Sequence, residues 1–156
     1  METSNQKSID CLNDLIRINN DRIEGYERAS KEAETLDIDL KALFAKMGSE
    51  SRTYRDELAT EVRNLAGEVA TDTTTSGKFY RVWMDVKAAF TGKNRTAILE
   101  NCEFGEDAAQ DAYQKALESD ASMNTQVRQL ISNQKDSLRT SHDAIKKYRD
   151  LNKSIA

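Results

Sequence analysis

The absence of proline constrains this chain more than any other feature of its sequence. None of the 156 residues is proline, and apolar residues recur three and four positions apart almost from end to end. Proline costs about 3 kcal/mol inside a helix, and this spacing places apolar side chains on one face of a helix. The sequence therefore predicts a chain made almost entirely of long helices.

The same pattern predicts one all-α domain that spans residues 1–156. A chain of this length fits the usual range of about 100–200 residues per domain. Four long helices with one apolar stripe each can bury those stripes only against one another, which predicts a four-helix bundle. A shorter extra helix is expected between the second and third long helices. The predicted helices span about 8–35, 38–66, 78–91, 94–118 and 122–153.

The lengths of the connections predict the topology of the bundle. Short turns near residues 36 and 120 make antiparallel hairpins of the first two and the last two long helices. Gly67 is expected to end the second helix as its C-cap, and the polar stretch TDTTTSG (71–77) begins a long connection to the third. A connection of that length can travel the length of the bundle, which is the one-crossover topology of ferritin-like folds.

Composition and charge argue against several classes of function. The chain has 23 basic and 27 acidic residues and a net charge of -4, with both signs mixed along it, so it lacks the basic face of a nucleic-acid binder. The first residues, METSNQKS, contain no apolar signal-peptide core, and no run approaches the ~18 apolar residues of a membrane span. We expect a cytoplasmic protein with neither nucleic acid nor membrane as a partner. Cys11 and Cys102 lack metal-type spacing and are expected to be ordinary free thiols.

Three segments resemble a known family. They are LNDLIRINNDRIEGYERA (12–29), ESRTYRDEL (50–58) and RVWMDVKAAFTGKNRTAILENCEFGEDAAQDAYQKAL (81–117). In combination they resemble the ferritin-like four-helix-bundle proteins of bacteria that are catalogued as a conserved domain of unknown function. The resemblance implies this fold, a bacterial origin and a loose link to stress or envelope conditions. It implies no reaction.

One level of the predicted bundle interior is polar. With turns near residues 36 and 120 and a rise of about 1.5 Å per residue, Arg22, Glu50, Glu106 and Gln134 are expected to share a layer. Ferritin-like di-metal sites place glutamates and Glu-x-x-His pairs at such a level. We interpret this layer as a structural set of ion pairs and hydrogen bonds.

Histidine is missing from that layer. Thr53 stands three residues after Glu50, and the only histidine, His142, lies about 12 Å along its helix from Gln134. We therefore predict no catalytic, cofactor-binding or metal-binding residue, and no cofactor. The alternative hypothesis is a degenerate di-iron carboxylate site that holds iron. Its candidate ligands are Glu50, Glu103, Glu106 and Glu27.

Three glycines, Gly25, Gly48 and Gly105, lie inside helical patterns near the polar layer. Each costs about 1 kcal/mol relative to alanine, so close approach of neighbouring groups is expected there. Two readings stay open: the glycines let bulky neighbours pack, or they give a ligand access.

Two functional hypotheses follow. The first is a non-enzymatic bundle that associates with itself, as a homo-oligomer such as a dimer, or with another protein. The second is the degenerate di-iron protein, with redox or iron-handling activity. The aromatic residues Phe79, Trp83 and Phe90 of the crossover either cover the bundle or form an interface.

Overall fold

The protein is all-α in the part of the chain that the structure describes. The computed structural model describes residues 4–32, 38–73, 95–119, 121 and 123–155. The all-α bundle prediction is confirmed. The short helix predicted at 78–91, with Phe79, Trp83 and Phe90, lies outside these residues. The described helices are α1 (Ser4–Glu32), α2 (Ile38–Asn64), α3 (Arg95–Glu118) and α4 (Thr125–Ile155).

Each hairpin is antiparallel. In the first, Arg22 of α1 donates a hydrogen bond to Ser51 of α2, and Ser30, further along α1, donates to the carbonyl of Lys41, which lies earlier in α2. In the second, Gln110 of α3 donates to the carbonyl of Lys135 in α4. The earlier Asp107 of α3 contacts the later His142 of α4, and Arg128, early in α4, donates to the carbonyl of Leu117, late in α3.

The two hairpins pack so that α1 lies beside α3 and α2 lies beside α4. Asn19 of α1 contacts Tyr113 of α3, while Arg22 contacts the earlier Glu106, so α1 and α3 are antiparallel. Glu50 contacts Ser141 of α4, and the later α2 residues contact earlier α4 residues. Consequently α2 and α3 run in the same direction, as the one-crossover topology requires.

The first part of the crossover returns along α1. Asn13 donates to the carbonyl of Glu68 at 2.9 Å and accepts from the amide of Ala70 at 2.9 Å. Further along, Arg17 pairs with Asp72 at 2.8 Å. Because these contacts advance along α1 as the chain advances, residues 68–72 run antiparallel to α2 and begin the path toward the start of α3.

Ala66, and not Gly67, takes the left-handed conformation at the end of α2. Its φ is 60°, the amide of Ala66 bonds the carbonyl of Arg63, and the amide of Gly67 bonds the carbonyl of Val62. This pair of bonds is a Schellman motif, whose left-handed position glycine usually occupies. Gly67 is needed for a different reason: a Cβ there would lie 2.9 Å from side-chain atoms of Ile9. The predicted C-cap was therefore off by one residue.

The second hairpin turns later than the sequence suggested. The side chain of Asn124 accepts a hydrogen bond from the amide of Val127 at 2.8 Å, which makes Asn124 the N-cap of α4. Since α4 begins at Thr125 and not near 122, its residues face α3 in a shifted register.

Between the helices lies one apolar core. No described helix has a segment that is long and apolar enough to cross a membrane. Burial of the apolar core is the main contribution to the stability of the fold. The fully buried members of this core include Leu12, Leu15, Ile16, Phe44, Leu58, Leu99, Ile131, Leu138 and Ile145.

Candidate functional site

An ion pair is buried at the middle of the bundle. Arg22 Nη2 donates to Glu106 Oε1 at 2.6 Å, and the two side chains are 1% and 0% exposed. One turn further along α1, the hydroxyl of Tyr26 donates to the same carboxylate oxygen. The guanidinium carbon of Arg22 also lies 5.4 Å from the centre of the Tyr26 ring. The spacing of four residues places Arg22 and Tyr26 on one face of α1, toward α3.

The same guanidinium reaches the second helix. Arg22 Nη1 donates to Ser51 Oγ at 2.7 Å, and Ser51 Oγ in turn donates to the carbonyl of Met47 at 2.8 Å. One side chain from α1 thus holds α2 and α3 through hydrogen bonds. This contact fixes the relative position of three of the four helices.

The ion pair is not fully satisfied by the described residues. Within them, Arg22 Nε and Glu106 Oε2 are buried and make no hydrogen bond. A buried polar atom without a partner costs about 1–3 kcal/mol, and more when it is charged. Loss of a further hydrogen bond from this pair would add to that cost.

The electrostatics of this site favour one charged pair among neutral neighbours. Burial opposes the charge of Arg22, but Glu106, together with Tyr26 and Tyr113, raises the pKa of Arg22 above its usual value. Burial, assisted by Glu106, raises the pKa of the Tyr26 hydroxyl and of the Cys102 thiol well above their usual values. Since the reactive form of cysteine is the thiolate, Cys102 is not activated as a nucleophile here.

A second polar network lies on the side of the ion pair nearer the start of α1. Asn19 donates to the hydroxyl of Tyr113 at 2.9 Å, and Tyr113 donates to Gln134 Oε1 at 2.7 Å. The amide nitrogen of Gln134 donates to the carbonyl of Tyr54 at 3.1 Å and lies 3.2 Å from a carboxylate oxygen of Glu57. This network joins all four helices.

The structure brings together only two of the four residues that were expected to share a layer. Arg22 and Glu106 are in contact, while Gln134 belongs to the second network with Tyr113. Glu50 is half-buried and accepts a hydrogen bond from Ser141 at 3.1 Å. Ser51 takes the place beside Arg22 that was expected for Glu50, because one residue corresponds to a rotation of about 100° around a helix.

The four carboxylates of the alternative di-iron site have separate partners. Glu106 pairs with Arg22, Glu27 pairs with Arg52 on the surface, and Glu103 pairs with Arg149. Glu50 contacts Ser141 as described above. Three of the four therefore bind an arginine, and among the described residues these four carboxylates do not form one group of neighbouring ligand atoms.

A different group of metal-ligating side chains lies between α3 and α4, and of its three residues only Glu103 was among the candidate ligands predicted from the sequence. His142 Nε2 is 2.7 Å from Asp107 Oδ1 and 3.8 Å from Glu103 Oε1, and the three ligand atoms lie within 4.8 Å of one another. On the other side of the ring, His142 Nδ1 is 3.2 Å from Asp143 Oδ1. The spacing of Glu103 and Asp107, four residues apart on α3, was the available signal.

The glycine at position 48 does not need to be glycine for steric reasons. A Cβ there would lie 3.7 Å from the Cβ of Tyr26, an ordinary van der Waals distance. The expectation of unusually close approach at Gly48 was therefore wrong.

Comparison with known proteins identifies a family without assigning a reaction. A family model described as a domain of unknown function (DUF2383) matches residues 7–119, which include most of α1 and all of α2 and α3. No curated protein matches the sequence.

Proposed function

The chain belongs to the DUF2383 family of domains of unknown function, and we propose that it is a non-enzymatic helical-bundle protein that acts by associating with a second copy of itself. The Arg22–Glu106 ion pair in the bundle interior carries the non-enzymatic part of this proposal, and the exposed Leu151 among charges of both signs carries the self-association part.

The ion pair supports a structural and not a catalytic interior. A di-metal site would need several carboxylates free to bind cations, yet the carboxylate of Glu106 is already bound to the guanidinium of Arg22 and the hydroxyl of Tyr26. The permanent charge of Arg22 also repels a cation strongly where water is excluded. This favours a protein without a cofactor at the centre of the bundle.

The surface near the end of α4 supports self-association. Ile38 and Leu151 are 82% and 51% exposed. Because α2 and α4 are antiparallel, the start of α2 and the end of α4 lie at the same end of the bundle. Exposed apolar side chains at one end of a bundle are covered when a second molecule packs on that end.

Charges around Leu151 favour a second copy as the occupant. Its neighbours on α4 are two acidic and two basic residues, Asp143, Asp150, Lys146 and Lys147. A two-fold axis through such a surface brings the acidic residues of one protomer near the basic residues of its partner, which is the arrangement of an isologous dimer. A partner of strong single charge would be repelled by half of these groups.

We also propose a cellular location for the protein and exclude two classes of partner. Mixed charges of both signs and the resemblance described above support a cytoplasmic bacterial protein linked to stress conditions, with neither nucleic acid nor membrane as a partner.

The test is sedimentation equilibrium of the wild type and of Leu151→Ser. We expect a dimer in the wild type, weakened at least about tenfold in the variant. Full burial of a leucine contributes about 1.5–3 kcal/mol, Leu151 is already about half buried, and the symmetry counts the remaining half twice. Arg63→Ala changes an exposed residue at the other end of α2 and should leave the dimer unchanged.

Two outcomes would overturn self-association. One is a wild type that stays monomeric up to about 1 mM, a dissociation constant that corresponds to only about -4.1 kcal/mol. The other is a dimer that Leu151→Ser and Arg63→Ala affect equally. If the protein is a monomer and Leu151 binds another protein, then that protein, and not a second copy, is the partner.

A further inference from the structure

We infer that Glu103 and Asp107 of α3 and His142 of α4 form a binding site for a divalent transition-metal cation, for which Zn²⁺ is the probe. This site is separate from the Arg22–Glu106 pair and does not depend on the proposed function. It offers one imidazole nitrogen and two carboxylate oxygens, donor types that Zn²⁺ binds in proteins.

The geometry is close to what a small cation requires. His142 Nε2 lies 2.7 Å from Asp107 Oδ1 and 3.8 Å from Glu103 Oε1. Zinc binds nitrogen and oxygen at about 2.0–2.2 Å, so tetrahedral ligands stand about 3.3–3.5 Å apart. Small side-chain rotations bring these atoms to that spacing. Asp107 is the most exposed of the three, so water can reach the fourth position.

The charges around His142 favour a cation. Carboxylates face both ring nitrogens: Asp143 lies at Nδ1, and Glu103 and Asp107 lie at Nε2. A neutral imidazole carries a proton on only one nitrogen, so one of these contacts sets a lone pair against a carboxylate. A cation at Nε2 removes that repulsion, while a proton on Nδ1 satisfies Asp143. This is the carboxylate–histidine–metal arrangement that orients metal-binding imidazoles.

Arg149 leaves the site open to a cation. Its guanidinium binds Oε2 of Glu103, whereas the oxygen that faces His142 is Oε1. Glu103, Asp107 and Asp143 are three carboxylates around the site, and Arg149 is shared between Glu103 and Asp150, so the site keeps a net negative charge that favours a divalent cation. Arg149 then holds the glutamate in position. The site would join α3 to α4 at the surface of the bundle, outside the buried core residues Cys102 and Ile145.

Titration of the chelator-treated protein with Zn²⁺ tests the inference, read out by the imidazole resonances in NMR spectra. His142 is the only histidine, so its signals are identified without ambiguity. We expect one Zn²⁺ per chain and a shift of the His142 signals that saturates with binding. Mg²⁺, which prefers oxygen ligands and keeps its waters, should leave those signals in place.

Matched variants separate this site from adventitious binding. Asp107→Asn and His142→Gln should each weaken Zn²⁺ binding at least about tenfold, and Asp143→Asn should weaken it about 10–100-fold through loss of imidazole orientation. Asp111→Asn is the control, since Asp111 is exposed on the same helix and pairs with Lys115; it should bind Zn²⁺ like the wild type.

Asp107 is on the surface, so its variant keeps the test valid even if His142→Gln disturbs folding. The inference is overturned if excess Zn²⁺ leaves the His142 signals unchanged, or if Asp107→Asn binds Zn²⁺ as tightly as Asp111→Asn.

Discussion

Replacing Arg22 with alanine is expected to lower the free energy of unfolding by about 3–5 kcal/mol, since breaking a buried ion pair from one side leaves an uncompensated charge. In this bundle the stranded group is Glu106, which is 0% exposed and loses the Nη2 donor at 2.6 Å. Its only remaining hydrogen-bond donor among the described groups is the hydroxyl of Tyr26. Ser51 loses its contact with Arg22 as well.

Urea denaturation measures this loss. With a urea dependence of about 2 kcal/mol/M for a protein of this size, the midpoint should fall by about 1.5–2.5 M. Arg139→Ala, at an exposed position on α4, should change the stability by less than about 0.5 kcal/mol. The double variant Arg22→Met, Glu106→Leu should recover much of the loss, because no lone charge stays buried. Equal effects of Arg22→Ala and Arg139→Ala would refute the buried ion pair.

Three further outcomes are expected in urea denaturation. Ala66→Gly should stabilise the protein by about 0.5–1 kcal/mol, because alanine has a φ of 60° there; a loss of stability would contradict the Schellman geometry. Gly48→Ala should stabilise by up to about 1 kcal/mol, since the added Cβ meets only an ordinary contact; a large loss would mean that the helices are closer than described. Stability should fall above pH 9, because burial raises the pKa of Cys102 and Tyr26, so the unfolded chain releases protons that the folded chain keeps. Each such proton contributes about 1.4 kcal/mol per pH unit, and Cys102→Ala should flatten the first part of that decline.

The helices were predictable because their signals are local. Apolar spacing and the absence of proline placed α2 and α3 to within a few residues, predicted at 38–66 and 94–118 and observed at Ile38–Asn64 and Arg95–Glu118. Arg22 and Glu106 could likewise be recognised as polar residues inside otherwise apolar stripes. Such residues must find partners when buried, whatever the details of the turns.

Which partners those buried polar residues find depends on the exact position of each turn. The sequence predicts turn positions less accurately than it predicts helices. A one-residue difference in the first hairpin puts Ser51 beside Arg22 and turns Glu50 toward α4. In the second hairpin the N-cap at Asn124 starts α4 late, so that Gln134 faces Tyr113 and His142 comes beside Asp107. Errors of one to several residues in a turn are enough to exchange every partner across the interface.

The buried ion pair is better explained by specificity of packing than by stability. Well-packed apolar residues often replace such a pair without loss, and two atoms of this one make no hydrogen bond within the described part of the chain. Yet Arg22 can reach Ser51 and Glu106 together only when α1, α2 and α3 are in one register. An apolar interior has no such requirement, because leucine side chains need no specific hydrogen-bond partner. The Arg22→Met, Glu106→Leu variant separates the two roles: stability should return, while the near-ultraviolet circular dichroism and the dispersion of NMR signals should decrease. A variant that is both stable and as well ordered as the wild type would show that the apolar contacts alone select the register.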